Sequence, residues 1–187
     1  MLEWSFNEKK ATQLAARFLQ AAGGPLSRIH LLKLMYLADR LAIGRYGSPI
    51  TGDRPYSMRW GPVLSKVYDL MKVDEPLASG VGAYWLDHIE NSQTMAILKS
   101  TPATTLSRAD QRIVEEIVEK FGPVEDPFVL SDLTHTFPEW QDPGSSSRPI
   151  SMRAILEVQG FDDEEIEELL SLQRTDGLIS RVAEDPE

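Results

Sequence analysis

Acid–base chemistry in this 187-residue chain would have to be assembled from few parts. There is no cysteine, so thiol catalysis, a disulfide framework and cysteine-ligated zinc are excluded. The imidazoles, His30, His88 and His135, are widely spaced. Asp39 is the carboxylate that invites a catalytic reading. It follows Tyr36 by three and Met35 by four, which puts it on the apolar side of a helix, where an unpaired charge is costly. No second carboxylate or histidine stands at a local spacing that would support acid and base roles. The favoured reading therefore has Asp39 accept hydrogen bonds from the backbone, or from an arginine, of the segment that follows. An enzyme, a hydrolase for example, would need Asp39, His135 and an arginine in one cleft as acid, base and anion clamp. No phosphate-cradling glycine loop, HExxH pair, nucleophile elbow or internal repeat is present. No cofactor is expected, and the function expected is not catalytic.

A second set of residues suits recognition. Between Arg45 and Trp60, three arginines (Arg45, Arg54, Arg59) interleave with Tyr46, Tyr56 and Trp60, a composition that stacks on bases or anchors a protein partner. Of these, Arg54, Tyr56, Arg59 and Trp60 are the expected partner-binding residues. Charge favours a protein partner. Up to Lys72 there are eleven Lys and Arg against five Asp and Glu, whereas from Val73 onward there are eight against twenty-four. The net charge of −10 repels a phosphate backbone at long range, so nucleic-acid binding would rest on the basic first third alone. A DNA-binding regulator using that third is the alternative reading.

The elements that must position these residues are mostly helical. Ser5 or Asn7 caps a helix running through Ala22, and Gly23-Gly24 ends it. Ser27 introduces a second helix, apolar almost all round, with a narrow polar strip of His30, Lys33 and Arg40; Gly44 and Gly47 terminate it. Such a helix belongs in the middle of a domain. From Ser48 to Trp60 the helical period is lost: Pro49 to Asp53 is turn chemistry, and Tyr56, Met58 and Trp60 alternate as in a short ribbon. Gly61-Pro62 reads as a helix opening, with Val63, Val67, Leu70 and Met71 on the buried face.

Beyond the Pro76 to Gly82 loop, Ala83 to Ile89 and Thr94 to Leu98 read as a hairpin, with His88 a surface strand residue. Ser107 and Asp110 form a capping box for a helix that Gly122 ends. Asp126-Pro127 starts a shorter helix ending near His135, which is placed to bond the last carbonyls or to favour the helix dipole. Ser151 caps a short helix stopped by Gly160, and Asp162 opens a last acidic one. The expected fold class is mainly α (α+β), a compact helical domain with a small antiparallel ribbon. A single domain over residues 1–182 and a frayed tail from Ala183 are expected. With no signal-like start and no run of about 18 apolar residues, a soluble cytoplasmic protein is expected.

Four stretches carry a resemblance that takes the reading further. These are KLMYLADRLAIGRYGSPITGDRPYSMRWGPVLSKVYDLM (Lys33 to Met71), LSRADQRIVEEIVEKFG (Leu106 to Gly122), LSDLTHTFPEW (Leu130 to Trp140) and RPISMRAILEVQGF (Arg148 to Phe161). In this order they resemble the Panacea domain, the SocA-like antitoxin family. The resemblance implies an antitoxin of a bacterial or phage toxin–antitoxin pair that neutralises a cognate protein toxin by direct contact. The SocA member is also a proteolytic adaptor that hands its toxin to the ClpXP protease. Neither role needs catalysis or a metal. Within the matching stretches Tyr36, Asp39, Gly52, Gly61, Pro62, Tyr68, Ser131, Asp132, His135 and Trp140 are read as architecture.

Overall fold

A computed structural model describes residues 5–172. The chain is mainly α, with two small three-stranded antiparallel sheets. The expected tail from Ala183 lies outside the described residues. Among those residues, no helix is long and apolar enough to cross a membrane.

Local signals set most of the helix ends. Helix α1 (Glu8–Ala22) is capped by the Asn7 side chain, which accepts from the Lys10 amide at 2.9 Å, and it ends at Gly23 with φ of 68°. Helix α2 (Arg28–Tyr46) is capped by Ser27, which accepts from the His30 amide at 3.1 Å. It runs straight through Gly44 and stops only at Gly47, with φ of 70°. Gly44 leaves room for the Gln159 side chain, whose end a Cβ there would meet at 2.7 Å. Leu31, Met35, Tyr36 and Ala38 are buried, as the apolar circumference of α2 demands, and α1, α5 (Arg108–Phe121) and α6 (Pro127–His135) surround the helix.

Strand β1 (Leu26–Ser27) precedes α2, and β2 (Pro55–Met58) and β3 (Gly61–Leu64) form a hairpin after it. Gly61-Pro62 is therefore not a helix opening. It begins β3, with Gly61 paired to Met58 and Pro62 to Ser57, and helix α3 (Ser65–Leu70) starts three residues past Pro62. Proline is tolerated because β3 is the outer strand of its sheet, and Gly61 adopts φ of 88° at the two-residue turn made by Arg59 and Trp60.

The segment expected to be the first hairpin strand is instead helix α4 (Ala83–His88); only at Ile89 does strand β4 (Ile89–Asn91) begin, pairing with β5 (Met95–Leu98). A distant group decides this. The Glu8 carboxylate accepts from the Gly82 and Trp85 amides, both at 3.0 Å, and caps α4 from across the domain. His88 accordingly ends a helix, with its Nδ1 2.8 Å from Ser100 Oγ.

Helix α5 (Arg108–Phe121) carries the capping box, and α6 (Pro127–His135) is capped by Asp126. Strand β6 (Arg148–Pro149) adds to β2, Ser151 caps α7 (Met152–Val158), and residues 163–172 form helix α8. One apolar cluster gathers α1, α2, α5 and both sheets. A second joins Ile43 at the end of α2 to Ile150, Ile155, Leu156 and Ile166.

Candidate partner-binding site

The ribbon β2–β3 is held to α2 from both sides. On one side, the Asp39 carboxylate accepts from the Ile50 amide at 2.9 Å, the Thr51 amide at 3.1 Å and the Thr51 hydroxyl. The partners expected of it are thus backbone and a threonine, not an arginine. Burial pushes its pKa up to about 7, while the bonds from Thr51 and Ile50 pull it down. Gly52, at φ of 68°, lies against the Ser5 carbonyl with no room for a Cβ.

Asp53 then does what Gly61-Pro62 does not. Its carboxylate accepts from the Lys66 amide (3.0 Å), the Val67 amide (2.9 Å) and Ser65 Oγ (3.1 Å), capping α3 from the start of the ribbon. Burial raises its pKa as well. Two buried carboxylates, Asp39 before the turn and Asp53 at its end, therefore fix where the ribbon leaves α2.

On the other side, the segment from Ser131 to Gln141 forms a clasp. Tyr36 Oη donates to Glu139 Oε1 at 2.9 Å, Arg40 pairs with the same carboxylate, and the Arg40 guanidinium stacks on Phe137 at 4.1 Å. Burial and the Glu139 charge raise the Tyr36 pKa. The Trp140 indole donates to the Met58 carbonyl at 3.1 Å, and the Gln141 amide to Ser57 Oγ at 3.2 Å. The His135 ring stacks on Trp140 at 4.3 Å, and its Nε2 has no hydrogen-bond partner, so it does not bond the last carbonyls of α6. Ser131 is buried and Asp132 is exposed. Lys33, 1% exposed, donates to the Pro62 carbonyl at 2.9 Å, and burial lowers its pKa to about 7. Gly61 is required a second time here: a Cβ on it would lie 2.7 Å from Lys33 Nζ and 2.6 Å from Thr134 Oγ1.

Asp39 and His135 therefore serve separate supports. Asp39 binds the turn, whereas His135 packs with Trp140 near Gly61, beside Lys33, six residues and about 9 Å away along α2. Among the described residues no group of three or more His, Asp or Glu is placed to hold a metal ion.

The outer surface of the ribbon carries the expected recognition residues in two places. Arg54 and Tyr56 line a groove of ≈ 460 Å³ together with Lys66, Tyr68, Asp69 and Lys72. Arg59 and Trp60 form the hairpin tip. Trp60 is 53% exposed, lies edge-on to Phe128 at 5.8 Å, and has the Arg59 guanidinium 5.4 Å from its ring. Phe128 and Val129, at the start of α6, are themselves 47% and 52% exposed. Sequence reasoning missed these two, although an apolar pair directly after the Asp126-Pro127 helix start was a usable signal. It also missed Asp53, Lys66 and Glu139, whose partners are remote in the chain.

The family model for the SocA-like antitoxin, Panacea domain, matches residues 31–141, more than half of the chain. The chain belongs to this family. Its Panacea domain extends from the first turn of α2 to the clasp, so the match contains Asp39, both strands of the ribbon, α3 and Glu139. The stretch from Arg148 to Phe161 lies beyond it. No curated protein and no solved structure matches the chain. Membership supports a role in a toxin–antitoxin pair and points away from catalysis.

Proposed function

We propose that this Panacea domain is an antitoxin that neutralises a cognate protein toxin by direct binding, through the outer surface of the ribbon at Arg54, Tyr56, Arg59 and Trp60. The observation that carries the reading is the exposed Trp60–Phe128–Val129 cluster, with Arg59 against it, on a ribbon fixed from behind by buried polar contacts. Exposed aromatic side chains on a rigid support, with an arginine alongside, are what binding hot spots are made of, because little side-chain freedom is lost when they dock. A second stage, delivery of the bound toxin to a ClpXP-type protease, follows from the likeness to the SocA member.

Co-expression with the product of the adjacent reading frame tests the first stage. Wild type restores growth, and Trp60→Ala with Arg59→Glu loses rescue and weakens binding by about 30-fold or more, the effect of removing a hot spot of about 2 kcal/mol or above. The variant keeps its thermal stability, since both side chains are solvent-facing. Full rescue by the double variant would remove these residues from the interface. Toxin half-life with and without the protease tests the second stage, and an unchanged half-life leaves sequestration alone.

A further inference from the structure

The groove beside the tip has a chemical character of its own. Arg54 and Tyr56 enter it from β2; Lys66, Tyr68 and Asp69 enter from α3 and Lys72 from just past its end. Three cations and one carboxylate thus surround two phenol rings, in a chain whose net charge is −10. Lys66 is exposed, and Lys72 Nζ lies 3.6 Å from the Tyr68 ring centroid. Lys72 also bonds Asp69 at 3.1 Å, but this pair is 48% and 66% exposed, and an exposed pair of this kind is worth well under about 1 kcal/mol. An incoming carboxylate can take its place at little cost.

The floor is rigid. Asp53 caps α3, which supplies Lys66 and leads into Lys72, and the turn that starts β2 is held to α2 by Asp39. A preorganised groove loses less on binding than a mobile one. The long-range field of the acidic remainder opposes a polyanion such as DNA or RNA, whereas a protein segment with a few carboxylates meets only the local field.

From these observations we infer that the groove receives a short acidic segment of the toxin, its carboxylates on Lys66 and Lys72 and an apolar or aromatic side chain over Tyr56 and Tyr68. This rests on the toxin-binding reading above and adds the chemistry of the partner to it. The hairpin tip then supplies apolar anchorage and the groove supplies charge selection, the division expected of an interface in which charges set specificity and on-rate.

The test is fluorescence polarisation on the full chain with three labelled probes: a peptide of about ten residues rich in Asp, Glu and Tyr, its Asn/Gln counterpart, and a single-stranded DNA of matching length. The acidic peptide binds, weakens as salt is raised, and binds at least about tenfold tighter than the Asn/Gln peptide. Lys66→Glu with Lys72→Glu abolishes that difference while the melting temperature is kept. Equal binding of the two peptides, binding indifferent to the charge reversal, or preference for the DNA would each overturn the inference. The same double variant in the co-expression assay separates the two readings. If it still rescues and binds no acidic peptide, the groove assignment falls and toxin binding stands. If wild type gives no rescue but shows charge-dependent binding of the acidic peptide, the groove assignment stands and toxin binding falls.

Discussion

Lys33 makes the stability of this protein depend on alkaline pH in a calculable way. Its ammonium is buried beneath the ribbon with one acceptor, the Pro62 carbonyl at 2.9 Å, and desolvation lowers its pKa from 10.5 to about 7. The folded-state value lies below the unfolded one, so folding disfavours the protonated form. That penalty is complete below pH 7, shrinks as pH rises, and is gone above the unfolded value. Each pH unit within this window changes stability by up to about 1.36 kcal/mol. Between pH 7.5 and 9.5 wild type should gain roughly 2.5 kcal/mol, a rise of about 5–10 °C in melting temperature for a chain of this size. Asp39, whose pKa is raised to about 7, carries the opposite dependence. Its penalty is already complete at the lower end of this window and adds little slope within it. The assay is urea unfolding at pH 7.5, 8.5 and 9.5 at fixed ionic strength, on wild type and Lys33→Met. Methionine fills the same space without a charge, so the variant should be flat where wild type climbs. Parallel profiles for the two proteins, or a wild type that does not gain stability, would refute the argument.

Two further outcomes concern the supports of the ribbon. Glu139→Ala strands the Arg40 guanidinium and the Tyr36 hydroxyl in a largely buried site and should cost about 3–5 kcal/mol, against about 1 kcal/mol for Tyr36→Phe; chemical denaturation of both variants and their double mutant measures the coupling. Asp53→Ala removes the cap of α3 and should cost about 1–2 kcal/mol, with the Lys66 and Val67 amides exchanging hydrogen faster than the rest of the helix.

Much of the fold was legible where its cause lies within a few residues of its effect. Asn7, Ser27, Asp126 and Ser151 cap the helices they were expected to cap, and Ser107 and Asp110 bond each other's backbone as the spacing requires. The all-round apolarity of α2 implied a central helix, and the inward position of Asp39 implied that something must bond it. The misread elements have remote causes. Gly61-Pro62 carries a good local signal for a helix start, but pairing with Ser57 and Met58 makes it a strand and Asp53 moves the helix start to Ser65. Ala83 to His88 is short enough to be strand or helix, and the Glu8 carboxylate, 77 positions from Trp85, selects the helix.

The proposed recognition residues divide along the same line. Arginines and aromatics between Arg45 and Trp60 led composition alone to an expectation of an exposed binding element, because such side chains in a turn-rich stretch have no local core to enter. Their grouping into a charged groove and an apolar tip required α3 and α6 to be in place, since Lys66 and Phe128 reach the ribbon only through packing. The clasp is the extreme case. Arg40 and Glu139 are 99 positions apart, and each alone reads as a solvated surface charge. Hydrogen bonds within one turn of helix are encoded by neighbouring residues, whereas the bonds that lock this ribbon join residues brought together only by the packing of α6 and the ribbon against α2.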